Sequence, residues 1–265
     1  MEYLETLPTE GFNTDLMSRN IELEAQGLKP KFMKTGTTIA GLMFNGGVVI
    51  GADTRATSGS TVLDKMCEKL HYIAPNMYCA GAGTAADTQH VNRQISQELA
   101  LLRLNTGRES RVITAVTRLS EHLFQYQGHI GAYLILGGVD INGPQLFGIS
   151  ADGSFKHQPY TTLGSGSLAA MSVFETEYRD GMTKEEAMEV VRRAIEAGVF
   201  NDLGSGSSVD LVIIEKDKVD YRRTYRDYNR KAENSGFEVN FPRGVTPVKN
   251  TYQLVVQEVP MEIDS

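Results

Sequence analysis

Two pairs of helical segments, each lying between runs of strand-like sequence, restrict the fold of this chain more than any single motif does. Strand signals come first at about 37–44 and 47–55, two β-rich runs around the turn Asn45-Gly46. Lys69–Ile73 and Met77–Gly81 form a second strand pair around Pro75-Asn76. Residues 85–104 then place Val91, Ile95, Leu99 and Leu102 on one helical stripe, with Thr84 as N-cap and Gly107 as the stop. A second helix over 111–127 carries Val112, Val116, Leu119 and Leu123 and ends at Gly128. Strands return at 131–139 and 144–150, with a short one within 154–163. A third helix spans 168–178. A fourth opens at Thr183, where Thr183-x-x-Glu186 matches a capping box, and runs to about 199. Runs at 209–215 and 219–225 close the series as a hairpin.

Strand sets alternating with helix pairs indicate antiparallel sheets covered by helices, an α+β chain rather than a parallel βαβ sheet. The expected architecture is a sandwich of two sheets with helices outside, built from about 37–227 as one unit. Residues 228–265 are polar and broken by Pro242, Pro247 and Pro260, and read as an arm that gains order on a neighbour. Residues 1–36 read as a loose leader, with Pro8, Gly11, Gly27 and Pro30 and only scattered apolar positions.

A net charge of −7 with no basic cluster argues against a nucleic-acid surface. No apolar run approaches the roughly 20 residues that a membrane span needs, and the N-terminus lacks the pattern of a secretory signal. Two cysteines, Cys67 and Cys79, make no disulfide framework and fit a reducing compartment. Five scattered histidines without metal-ligand spacing give no zinc site, so no metal and no cofactor is expected.

The leader meets the first strand at Gly36-Thr37, which suggests a cut between them. Threonine is a poor nucleophile at its free pKa, but an N-terminal threonine carries its own base, an α-amine of pKa about 7.7–8.0. Taken alone, Gly36-Thr37 reads first as a loop-to-strand step. Asp53 and Arg55 end the second strand and are also readable as a surface ion pair. Lys69 is readable as a strand-edge lysine, or as a charge that lowers the pKa of a nearby nucleophile with Asp53 as its partner. Gly81-Ala82-Gly83 is a plain turn or a set of backbone N–H donors for an oxyanion. Gly164–Ser167 and Asp202–Ser207 contain neither a phosphate-loop pattern nor the elbow of a serine triad.

As an ordered set these elements are far more specific: Thr37 after Gly36, Gly-Ala-Asp-Thr-Arg at 51–55, Lys69, Cys-Ala-Gly-Ala-Gly-Thr-Ala-Ala-Asp at 79–87, Leu-Gly-Ser-Gly-Ser at 163–167 and Asn-Asp-Leu-Gly-Ser-Gly-Ser at 201–207. The set resembles the catalytic β subunits of the 20S proteasome, and among them the trypsin-like, type 2 subunit. Tyr126–Ile135 and Phe241–Thr246 add to that assignment. The resemblance implies a four-layer αββα sandwich of the N-terminal nucleophile hydrolase type, with 1–36 as propeptide. It implies Thr37 as nucleophile and, through its freed amine, as base. Asp53 and Lys69 would be the tuning pair, Ser165, Asp202 and Ser205 the network around the amine, and the Gly83 N–H the oxyanion donor. Inactive ring members of the family lose the threonine or the lysine, and this chain has both.

By the same resemblance Ala56, Cys67, His71, Gly81, Ala85 and Gln89 line the first specificity pocket. Small residues there suit a long basic side chain. Gln89 stands where other members have an acid, which predicts relaxed selectivity unless Asp87, Asp64, Glu68 or a neighbour supplies the charge. The implied partners are proteasome α and β subunits in stacked seven-membered rings and polypeptide substrates, with no nucleic acid and no membrane. The implied location is cytoplasm and nucleus. A non-catalytic ring subunit is disfavoured by the intact Thr37, Asp53 and Lys69, and a self-cleaving amidase of small substrates by the long arm.

Overall fold

A computed structural model of the protein describes residues 15–27, 35–229 and 244. The chain divides into units Met1–Asn229 and Arg230–Ser265. The second, apart from Gly244, lies outside the described residues, and with it nearly all of the expected arm 228–265.

The leader contains a helix, α1 (Asp15–Ala25), where a loose segment was expected. The reason lies in the breakers: Pro8, Gly11, Gly27 and Pro30 all fall outside it, and the stretch between is rich in Leu, Met, Glu, Arg and Ala, all good helix formers.

Strands β1 (Thr38–Phe44) and β2 (Gly47–Asp53) form the expected hairpin. A second small hairpin follows, β3 (Ala56–Ser58) with β4 (Thr61–Asp64), which the sequence reading missed. Next come β5 (Leu70–Ala74), β6 (Met77–Gly83), α2 (Ala85–Thr106) and α3 (Val112–Gln125). Thr84 holds the N-cap position of α2, but its side chain makes no capping bond. Then β7 (Ala132–Asp140), β8 (Gly143–Ile149), β9 (Phe155–His157) and β10 (Tyr160–Gly164) precede α4 (Ser167–Glu177) and α5 (Lys184–Asn201). The capping box at Thr183 and Glu186 forms in full. The chain of strands ends with β11 (Ser208–Glu215) and β12 (Lys218–Asp227).

The strands make two five-stranded antiparallel sheets, ordered β10-β1-β2-β11-β12 and β5-β6-β7-β8-β9. The single strand expected in 154–163 is two strands that belong to different sheets. Pro159 has no N–H to donate to a ladder, and the chain crosses between the sheets there.

Three apolar layers hold the four structural ones together. Ile39, Val48, Ile50 and Val212 of the first sheet meet Leu70, Ala80, Ile135 and Leu146 of the second. Val91, Ile95, Val116 and Leu119 of α2 and α3 cover the outer face of the second sheet. Phe174, Val191 and Ile195 of α4 and α5 cover the first. The arrangement is an αββα sandwich. Because both faces of each sheet are covered, β2 and β11 read as nearly continuous apolar runs instead of alternating ones.

Candidate active site

The sheets deliver their functional side chains to one end of the sandwich. Thr37 stands directly before β1 and is 4% exposed. The β1–β2 register pairs Ile39 with Ala52, which brings the end of β2, and thus Asp53, beside the start of β1. Val209 of β11 pairs with Asp53, so the loop that leads from α5 into β11 arrives at the same place. From the other sheet comes Lys69, next to β5, with its carbonyl accepting from the Gly81 N–H at 3.1 Å.

Asp53 is fully buried, and a buried carboxylate is tolerable only when its oxygens are occupied. One oxygen accepts from the Thr38 N–H at 2.9 Å and from Lys69 Nζ at 2.8 Å. The other accepts from the N–H groups of Gly206 at 3.0 Å and Arg55 at 3.2 Å. Lys69 spends its remaining donors on Thr37 Oγ1 at 3.0 Å and the Gly36 carbonyl at 3.4 Å. The Thr37 hydroxyl donates to that same Gly36 carbonyl at 2.6 Å.

A second cluster sits on the nitrogen side of Thr37. Its N–H donates to Ser165 Oγ at 3.0 Å. Ser165 and Ser205 both donate to one oxygen of Asp202, at 2.6 and 2.7 Å. With the Ser205 proton so committed, the 2.7 Å contact between Ser205 Oγ and Thr38 Oγ1 has Thr38 as donor. Burial pushes the Asp202 carboxyl up. The bonds from Ser165, Ser205 and the Gly204 N–H outweigh that and hold it below the usual carboxylate range.

All six of the sequence-predicted catalytic residues are therefore brought together. Gly83 lies in the same cleft with φ at +107°. The Gly36 carbonyl takes its hydrogen bonds from Thr37 and Lys69, while the Gly83 carbonyl accepts from the Thr35 hydroxyl at 2.6 Å. The six predicted pocket residues, Ala56, Cys67, His71, Gly81, Ala85 and Gln89, all line one cleft of about 740 Å³ that also contains Thr37 and Lys69. Asp64 and Glu68 line it too. Asp87 is turned elsewhere, accepting from the Gly131 N–H at 2.9 Å. Burial lowers the His71 pKa, with Glu68 opposing, and burial raises that of Cys67, with Lys69 opposing. Among the described residues no group of three or more His, Cys, Asp or Glu side chains is placed to hold a metal ion, and no helix is long and apolar enough to cross a membrane.

Sequence reasoning missed Thr57 and gave no contact to Gly204 or Arg55, both inside motifs that it singled out. Thr57 Oγ1 accepts from the Gly36 N–H at 2.9 Å. The backbone of Gly204 packs so closely on Gly36 that a Cβ on residue 36 would overlap it. Arg55 donates to the Leu203 carbonyl at 3.1 Å and fills the space beside Gly206, holding the loop that carries Asp202 and Ser205. Glycines at 36, 204 and 206 were the available signal, since close backbone approach needs them.

A family model described as proteasome subunit matches residues 33–214, from just before the junction to the end of β11. The chain belongs to the proteasome subunit family. Its sandwich is accordingly an N-terminal nucleophile hydrolase fold, and the chain is a threonine-type peptidase subunit of the proteasome core. Proteasome subunit beta type-7 of Dictyostelium discoideum is 57% identical over 247 residues, covering 92% of each chain. Proteasome subunit beta type-7-B of Arabidopsis thaliana is 52% identical over 96% of this chain and 91% of its own. Proteasome subunit beta type-2 of Saccharomyces cerevisiae is 51% identical over 90% and 92%.

Proposed function

We propose that this proteasome subunit is made as a precursor, that Thr37 cuts it from residues 1–36, and that the freed Thr37 then cleaves polypeptides after basic residues. The observation that carries the reading is the Thr37 hydroxyl, 2.6 Å from the Gly36 carbonyl oxygen and 3.0 Å from Lys69.

In the precursor the Thr37 nitrogen is an amide and cannot act as base. Lys69 spends its three protons on Asp53, Thr37 Oγ1 and the Gly36 carbonyl, so it stabilises the charge that develops there, and the hydroxyl proton passes to the Gly36 carbonyl oxygen that it already bonds as Oγ1 attacks the Gly36 carbon. The tetrahedral centre collapses with cleavage of the C–N bond and transfer of that hydroxyl proton to the departing nitrogen, leaving an ester. Water hydrolyses the ester, releasing the leader and restoring the hydroxyl. The new amine, with Ser165 and Asp202 beside it, becomes the proton acceptor for substrates. The Gly83 N–H serves the oxyanion of the substrate carbonyl.

Ala56, Gly81 and Ala85 leave room for an Arg or Lys side chain. Gln89 offers an acceptor without charge, so the preference for basic residues is graded. The subunit works beside other α and β subunits in paired seven-membered rings, in cytoplasm and nucleus. Residues 228–265 pack on a neighbour.

Intact-mass measurement or N-terminal sequencing of the chain from assembled particles tests the reading. A start at Thr37 supports it. A start elsewhere, or full peptidase turnover with alanine at 37, overturns it.

A further inference from the structure

We infer that Thr57 is a positioning residue for self-cleavage, its hydroxyl fixing the scissile carbonyl from the leader side. The inference rests on the proposed autocatalytic release at Gly36-Thr37 and adds a residue to it.

Gly36 has no side chain by which the fold can hold it, and a larger residue is shut out by Gly204. Glycine also has the widest backbone freedom, so the orientation of its carbonyl is the least determined quantity at the junction. Two N–H groups flank that carbonyl and each is pinned. On the enzyme side the Thr37 N–H donates to Ser165 Oγ at 3.0 Å, and on the leader side the Gly36 N–H donates to Thr57 Oγ1 at 2.9 Å. Between the two pins the carbonyl faces the Thr37 hydroxyl and Lys69. Thr57 is well placed to hold a fixed point: it is 5% exposed and lies in β3, paired with Val62 of β4. Its bond is made to the leader side of the junction, where the hydroxyl acts on maturation. Holding a reacting carbonyl in attack geometry is where a single bond acts on rate.

The test is leader release in assembled particles, followed by pulse–chase and intact mass, for Thr57→Val, Thr57→Ser and Thr57→Cys. Loss of the acceptor in Thr57→Val slows release about tenfold, on the order of what one hydrogen bond carries. Thr57→Ser releases at the wild-type rate, and Thr57→Cys, a weaker acceptor of similar size, falls between. If Thr57→Val fails to enter particles, the order of Thr, Ser and Cys still decides. Wild-type release in Thr57→Cys and Thr57→Val, or equal slowing in Thr57→Ser, overturns the inference while leaving self-cleavage standing. A wild-type chain that does not begin at Thr37 removes both.

Discussion

The Thr37 hydroxyl points back along its own chain, 2.6 Å from the carbonyl oxygen of Gly36. The proposed nucleophile and the proposed scissile bond are thus neighbours in sequence and held in contact by the fold. The first expected outcome is the plainest: Thr37→Ala retains residues 1–36 permanently and shows no esterification by a threonine-directed probe. Thr37→Ser releases the leader, more slowly because the hydroxyl loses the β-methyl group that restricts its rotamers.

Gly36→Ala places a methyl group against the Gly204 backbone. Overpacking of this kind costs about 1–3 kcal/mol, which corresponds to roughly 5- to 160-fold slower leader release if it falls on the attack geometry. The melting temperature of the precursor stays nearly unchanged, because Gly36 is not part of the apolar layers. A large fall in melting temperature would show that the junction is structural instead.

Lys69 and Asp53 are a buried pair, 8% and 0% exposed at their side chains. Lys69→Met strands the Asp53 charge and lowers stability by about 3–5 kcal/mol in urea unfolding. It also stops leader release. Lys69→Arg recovers much of the stability but little release, because a planar fork cannot reproduce an ammonium that bonds Asp53, Thr37 and Gly36 together. Wild-type release by Lys69→Arg would mean that charge alone suffices.

Gln89→Glu adds a charge to the cleft wall. The gain of a charge-assisted bond over a neutral one is about 1.4 kcal/mol, so kcat/KM for arginyl peptides rises about tenfold. Turnover of leucyl peptides does not rise with it. Equal effects on both would place Gln89 outside the path of the basic side chain.

His71 gives a pH signature. Burial sets its pKa below the usual imidazole value, so between that value and about 6.5 the folded chain binds fewer protons than the unfolded one. Stability therefore falls as pH drops through this window. His71→Gln flattens the fall, and unfolding titrations of both chains between neutral and mildly acidic pH will read it.

Most of the fold is legible in the sequence because its elements are long and carry clear periods. Helix α3 shows its buried stripe directly, α2 does so through Val91, Ile95 and Leu99 while Leu102 is exposed, and the capping box at Thr183 marks the start of α5. The hairpin β3–β4 was missed because it is short and β4 is exposed along its whole length, which leaves no apolar alternation to see. That β9 and β10 join different sheets is invisible locally, since pairing partners are set by tertiary packing. Thr37, Asp53, Lys69, Ser165, Asp202 and Ser205 were found as an ordered set of motifs. Thr57 was not, because a lone threonine in a short strand carries no signal and its partner is 21 residues away along the chain.

Ser165 already faces the Thr37 nitrogen while that atom is still acylated, and Asp202 already orients Ser165. On the proposed self-cleavage the C–N bond breaks at a nitrogen whose partners are already in place. The proposed precursor thus already carries the proposed enzyme's hydrogen-bond network. On that proposal, control over when the subunit becomes active falls to whatever admits water and neighbours to the junction.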